Sequence, residues 1–243
     1  FGLPRMATKN FKIILIRHGE TDLNKGGRMQ GHLDVELNAN GLAQATKLGE
    51  RLKDTTFRYV YSSDLSRAYQ TAEKVVTLNS NNPPAIKTDA CFRERKYGTA
   101  EGCSREKLKA MAKSAGVPTK DYTPEGAESP QVFVSRVIFA FNYLCQELYR
   151  AETGPAPCEP YIVLLVVHGG FIRELLVHIY ETFQRDNSEM RSCVSGVPPN
   201  ASMSSILVEV ENGKPVKVTF DKLHDAEHLQ GMDTTPGLDF NTM

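Results

Sequence analysis

The sequence predicts an α/β protein of three layers, α/β/α, whose mostly parallel central sheet is extended by a C-terminal hairpin. Three observations predict it. Two apolar runs, one ending at Ile16 and one at Val167, lead into Arg17-His18-Gly19 and His168-Gly169-Gly170. Between and after them, stretches with apolar residues at helical spacing alternate with short β-branched runs. Late in the chain, residues 204–211 and 215–220 flank Asn212-Gly213, the strongest short hairpin signal.

The first run carries four successive branched aliphatics, Ile13 to Ile16, which suit a strand covered on both faces. So short a run also suits a helix, but Gly19 directly afterwards favours strand and turn. In open α/β sheets the ligand crevice lies beyond the carboxyl ends of the strands, which is where His18 falls. Residues 161–170 repeat the design. If the two strands are parallel and adjacent, both imidazoles meet at one rim beside Arg17. One His-Gly pair is an ordinary turn; two of them with an arginine point to a phosphate site.

Residues 21–37 read as a long functional loop, with Lys25, Arg28 and His32 facing solvent or ligand and Gly31 letting backbone N–H groups approach a phosphate. Residues 40–53 predict a helix with Leu42, Ala45, Leu48, Gly49 and Leu52 inward and Asn38 or Asn40 near its cap. A strand follows over 59–62. Ser63-Asp64 then supplies N-cap chemistry for a helix to about Leu78, with Leu65, Ala68, Ala72, Val75 and Val76 as its buried stripe. Arg67 falls in the first turn, where partial positive charge already sits, so it is either a surface arginine or the partner of a bound anion.

Residues 85–89 suit a short edge strand. Residues 92–102 are too charged for a core and too aromatic for a simple linker, so they border the site. A polar helix over 104–115 and a loop to Gly126 complete a lid or side wall, a subregion of about 91–128. Ser129-Pro130 opens a helix with a core stripe of Phe133, Val137, Phe141, Leu144 and Leu148. Residues 153–160 form an exposed connection. The helix after Gly169 turns Ile172, Leu175, Leu176 and Ile179 inward and holds Arg173 within reach of the site. Residues 184–196 read as a polar surface loop, Asn200 and Ala201 as backbone donors at the rim, and the pattern fades after Asp221. His224 and His228 are spaced like helical metal ligands but lack a third, so no metal is expected.

With 243 residues, 29 basic and 29 acidic side chains, the chain has no global field to recruit nucleic acid or membrane. Any attraction for a phosphorylated ligand must be local. No run reaches the ~20 apolar residues of a membrane span. The expected partition is residues 1–5 as an appended segment, 6–230 as one domain and 231–243 as a tail. Five cysteines without a Cys-x-x-Cys pair suit reduced thiols in the cytoplasm.

Taken together, Arg17-His18-Gly19-Glu20-Thr21, Asn24, Gln30-Gly31, Ser62 to Arg67, Arg93 to Gly98 and His168-Gly169 resemble the histidine phosphatase, or phosphoglycerate-mutase-like, superfamily. The resemblance spans roughly residues 12–210. It implies the corresponding fold and a phosphohistidine on His18, with Arg17, Arg67 and His168 as the cationic cup and Glu94 as the acid. Substrate contacts would come from Asn24, Gln30, Gly31, Arg95, Lys96, Tyr97, Gly169, Arg173, Asn200 and Ala201. Glu101 matches a structural glutamate.

Within the superfamily, Glu94 to Gly98 followed by Lys109-Ala110-Met111 is most similar to the fructose-2,6-bisphosphatase branch, although residues 153–160 lack a longer insertion found there. That branch implies a cytoplasmic enzyme, with nuclear or mitochondrial association, that lowers glycolytic flux and bears on apoptosis. The expected ligand is a phosphorylated sugar or glycerate, with no cofactor, and a monomer is favoured. Two alternatives stay open: a phosphoglycerate mutase or 2,3-bisphosphoglycerate phosphatase, and a non-enzymatic protein that docks phosphorylated ligands.

Overall fold

The computed structural model describes residues 8–154, 157–185 and 188–232. Its elements run β1 (Lys9–Arg17), α1 (Asp22–Lys25), α2 (Ala39–Leu52), β2 (Tyr59–Ser62), α3 (Ser66–Leu78), β3 (Lys87–Thr88) and α4 (Arg105–Ser114). They continue with α5 (Pro130–Ala151), β4 (Tyr161–Val167), α6 (Gly169–Phe183), α7 (Ser188–Ser195), β5 (Met203–Glu211) and β6 (Lys214–Asp225). The segments 1–5 and 233–243 lie outside the described residues.

Successive side chains of a strand point to opposite faces, and here both faces are covered. Phe11, Ile13 and Leu15 of β1 join Val163, Leu165 and Val167 of β4 in a core shared with α5 and α6. Ile14, Ile16, Leu164 and Val166 pack on the other side against Leu48 and Leu52 of α2 and Ala68, Ala72 and Val75 of α3. That double burial is why the two runs are apolar without alternation. The result is the three-layer α/β/α sandwich the sequence predicts.

The sheet has six strands in the order β3-β2-β4-β1-β5-β6. The first four are mutually parallel, and β5 and β6 are antiparallel additions. β4 lies between β1 and β2, although β1 ends at Arg17 and β2 at Ser62, far ahead of the start of β4 at Tyr161. Its register pairs Arg17 with Val167, so His18 and His168 leave adjacent strands at the same level. The hairpin turn at Asn212 (φ 53°) and Gly213 (φ 75°) has positive φ at both central residues, as a tight I′ turn requires.

Several local expectations are corrected. The loop over 21–37 contains the short α1, closed by a capping box in which the Thr21 side chain accepts from Asn24 N–H. Asn38, not Asn40, caps α2, accepting from Gly41 N–H at 2.8 Å, and Leu42 points outward at 43% exposure. Ser63 and Asp64 do not cap α3. Leu65 holds the cap position without a side-chain bond, and Asp34 accepts from Ser66 N–H at 2.7 Å instead. Residues 184–196 are not loop throughout, since α7 forms there with Val194 buried. β6 continues to Asp225, whose carboxylate meets Arg51 and Lys222, and Leu229 beyond it is buried.

Residues 91–128 and Met29 of the preceding loop build a small separate core from Met29, Ala100 and Leu108, with Tyr97, Met111 and Tyr122 around it. All five cysteines are unbridged. Among the described residues, no helix is long and apolar enough to cross a membrane.

Candidate active site

The parallel ends of β1, β2 and β4 set three residues side by side. His18 N–H donates to the Val167 carbonyl at 3.0 Å and Ser63 N–H to the Val166 carbonyl at 2.9 Å. The His18 and His168 rings therefore come to 5.2 Å between centroids, tilted by 59°. Arg17, the last residue of β1, and Arg67, in the first turn of α3, are both buried with them.

Each side chain is aimed by backbone. The His18 Nδ1–H donates to the Gly19 carbonyl at 2.7 Å. A carbonyl only accepts, so the proton of the neutral ring is on Nδ1 and Nε2 keeps its lone pair. Arg17 donates to the Pro198 carbonyl at 2.6 Å, and Arg67 to the carbonyls of Leu33 at 2.8 Å and Gly31 at 2.9 Å. Those bonds use outer nitrogens. The Nε of Arg17, the Nε of Arg67 and the Nδ1 of His168 are buried without a protein partner. Three unsatisfied polar atoms at one rim form a set of donors that an anion would satisfy.

Burial pulls both guanidiniums down to about 10, a loss that nearby Glu94 partly opposes, and both stay charged at neutral pH. Burial, then Arg67 and Arg17, pushes His18 well below the ordinary histidine range. Burial, then Arg67 and His18, does the same to His168. Without a bound anion, His168 is thus neutral rather than a third cation. Unfolded histidines titrate near ~6.5, so as pH falls through that value the unfolded chain gains protons the folded one does not, and stability drops. Thermal melts should show a lower midpoint at about pH 5.5 than at about pH 7.5, with inorganic phosphate raising both. A midpoint constant across that window would count against neutral imidazoles.

Glu94 lies close to the N-terminus of α6. Its carboxylate accepts from Gly170 N–H at 2.8 Å and Arg95 N–H at 2.9 Å. A side chain on Gly170 would strike that carboxylate, so glycine is needed for the approach. His32 donates from Nε2 to the Glu94 carbonyl at 2.9 Å. Arg136 of α5 donates to the carbonyls of Cys91, Arg93 and Glu94 and pairs with Glu128. No motif marks Arg136 in the sequence. Its signal was a cation three residues after Phe133 on an otherwise apolar stripe.

The expected substrate contacts divide. Asn200 donates from Nδ2 to the carbonyls of His18 and Gly19 and to Asn24 Oδ1, and Thr21 donates to Gln30 Oε1. Asn24, Gln30 and Asn200 thus make a buried scaffold behind His18. Ala201 N–H is bonded to the His18 carbonyl at 3.2 Å, so it is already engaged within the protein. Gly31 (φ 53°) serves by close approach to Glu101, whose carboxylate accepts from His32 and Tyr97 N–H, and by offering its carbonyl to Arg67. Gly169 lies against the Arg17 side chain.

Lys96 is exposed, and its N–H donates to Glu128. Arg95 donates to the carbonyls of Glu128 and Tyr122 and sits 5.3 Å from the centre of the Tyr97 ring. Arg173 donates to the Ser195 carbonyl and pairs with Glu174. Arg95, Tyr97, Lys120, Gly170 and Arg173 nonetheless wall one cavity of about 240 Å³ next to the Glu94 segment.

His224 and His228 do not pair on a metal. Each Nε2 bonds a carbonyl, of Cys193 and Ala201 respectively. Among the described residues, no group of three or more His, Cys, Asp or Glu is placed to hold a metal ion.

Comparison with known proteins agrees with this geometry. The model of the histidine phosphatase superfamily (branch 1) matches residues 13–221. The chain belongs to the histidine phosphatase superfamily. It is similar to the fructose-2,6-bisphosphatase TIGAR of Bos taurus, 31% identical over 93% of this chain and 99% of that protein. It is also 34% identical to the glucosyl-3-phosphoglycerate phosphatase of Mycobacterium tuberculosis (strain CDC 1551 / Oshkosh), over 68% of this chain and 73% of that one. Among solved structures, a phosphoglycerate mutase from Bacillus anthracis superposes with a TM-score of 0.74 at 25% identity, covering 91% of this chain and 96% of its own. Membership of the superfamily makes this protein an enzyme of the phosphatase type.

Proposed function

We propose that the protein hydrolyses a phosphate monoester through a phosphohistidine on His18, and that the group removed is the 2-phosphate of fructose 2,6-bisphosphate. One observation carries the chemistry: the Gly19 carbonyl fixes the proton of His18 on Nδ1, which leaves the nucleophilic lone pair of Nε2 in a buried, cationic cup. A neutral attacker approaches a dianion without charge repulsion.

In this mechanism the phosphoryl oxygens accept from Arg17, Arg67 and His168, donors held in place before the ligand arrives. Nε2 of His18 attacks phosphorus in line as the phosphorus–oxygen bond to the sugar breaks, and Glu94, which takes a proton from solvent before the first turnover and from the attacking water in each later one, passes it to the departing oxygen. The Glu94 carboxylate then takes a proton from water. That water attacks phosphorus, the nitrogen–phosphorus bond breaks, and phosphate and neutral His18 result. The cavity beside Glu94, with Arg95, Lys120 and Arg173 in its walls, supports a ligand phosphorylated at a second end. Residues 91–128 form the wall over that end.

The bovine relative supports the sugar bisphosphate, and the mycobacterial one favours a second reading, a phosphoglycerate derivative. Phosphorus NMR on a panel of sugar bisphosphates, glycosyl phosphoglycerates and phosphoglycerates separates them. Free phosphate is expected, fastest from fructose 2,6-bisphosphate and unchanged by EDTA. Transfer to a phosphoglycerate without free phosphate would make the protein a mutase instead, and loss of turnover in EDTA would sink the metal-free mechanism.

A further inference from the structure

We propose that Ser63 is a positioning residue that fixes His168 as a neutral donor, with its proton on Nδ1, to the phosphoryl group in transit; this rests on the phosphatase reading above. Ser63 follows the last residue of β2, is fully buried, and is anchored by its N–H to the Val166 carbonyl of β4. Its hydroxyl lies 2.9 Å from Nε2 of His168.

The proton count decides which way that bond runs. A serine hydroxyl offers one donor and two acceptor sites. Leu65 N–H, at 3.4 Å, approaches Ser63 Oγ as a donor. If His168 carried its proton on Nε2, both groups facing Oγ would be donors and the hydroxyl proton would have no acceptor among the hydrogen bonds of the described residues. If Ser63 instead donates to Nε2, each group is used once. The imidazole proton then sits on Nδ1, the buried atom that has no protein partner. Phosphoryl oxygens only accept, so a proton at that atom is what the reaction needs.

An imidazolium would also present Nδ1–H, but the surroundings oppose it. His168 is enclosed, with Arg67 and His18 beside it. The cup thus sets two permanent charges, Arg17 and Arg67, against a dianion, and His168 adds a hydrogen bond without taking up a proton. In the other tautomer the Nδ1 lone pair would face the phosphoryl oxygens and repel them. Without the serine hydroxyl, nothing on the Nε2 side selects between the two.

The test reads the tautomer and its kinetic trace. In protein labelled with ¹⁵N-histidine and saturated with inorganic phosphate, the His168 resonances should be pyrrole-like for Nδ1 and pyridine-like for Nε2. Ser63→Ala removes one oxygen and adds no volume; it should give averaged resonances, and Ser63→Thr should restore the wild-type pattern. Losing one such hydrogen bond should lower kcat/KM of Ser63→Ala by about fivefold to tenfold at about pH 8. The ratio should stay the same from about pH 8 to about pH 6, because His168 remains neutral in both proteins, and Ser63→Thr should bring it back toward parity. A purely structural defect would leave the wild-type tautomer pattern in Ser63→Ala and would not be repaired by Ser63→Thr. A wild-type spectrum with the proton on Nε2, or a Ser63→Ala spectrum that keeps the wild-type pattern, overturns the proposal. Absence of turnover by the wild type on every phosphate monoester would instead count against the phosphatase reading, and the spectrum would still decide the tautomer.

Discussion

His18→Ala is expected to lower turnover by on the order of a thousandfold or more and to abolish acid-labile labelling of the protein by ³²P-substrate. The ring donates to the Gly19 carbonyl, while Arg17, Arg67 and His168 are held by other partners. Removing it therefore takes away the nucleophile and leaves the donors, so affinity for inorganic phosphate should change by only about threefold, or ~0.7 kcal/mol. Isothermal titration with phosphate, read beside the turnover measurement, checks both halves. If a label survives in His18→Ala, another side chain is the nucleophile. If phosphate binding collapses with turnover, the cup is not independent of the ring.

Glu94→Gln should separate the two halves of the reaction. The amide keeps the size of the carboxylate beside Gly170 and one oxygen where the carboxylate offers two to the Gly170 and Arg95 N–H groups, and it neither gives nor takes a proton. On a sugar phosphate, kcat should fall by about a hundredfold to ten-thousandfold, the usual span for general acid–base catalysis. An aryl phosphate with a good leaving group needs no proton to depart. With it the first step should proceed, and phosphoenzyme should accumulate because water is no longer activated. A variant that phosphorylates slowly with both substrates would remove Glu94 from the role of acid.

The two His-Gly strands were legible because burial on both faces writes itself as an apolar run, and a run that ends in a polar pair marks a rim. The helices over 39–52, 130–151 and 169–183 were legible from spacing alone. What misled were places where a partner far along the chain does a local job. Ser63 and Asp64 look like a cap for α3, yet Asp64 pairs with Arg93, Ser63 with His168, and the helix end is satisfied by Asp34. Arg95 and Lys96 read alike in the sequence because charge in a string carries no direction. In three dimensions, Arg95 is buried, held by carbonyls and set in the cavity wall beside Glu94, while Lys96 is exposed. Short or polar elements such as α1 and α7 have too few apolar residues to show a period.

The insertion of β4 between β1 and β2 also constrains how the molecule comes to life. During synthesis, β1 and β2 emerge with a strand-wide gap between them, and no local contact can close it. Half of the reaction centre must wait for a segment some 140 residues downstream of His18, a separation that makes the closing step entropically demanding and slow. Until then two unpaired backbone edges stand open to other chains. A nascent polypeptide released before residue 161 would have His18 without His168, and an invitation to aggregate, so competence and protection from misassembly arrive with the same strand.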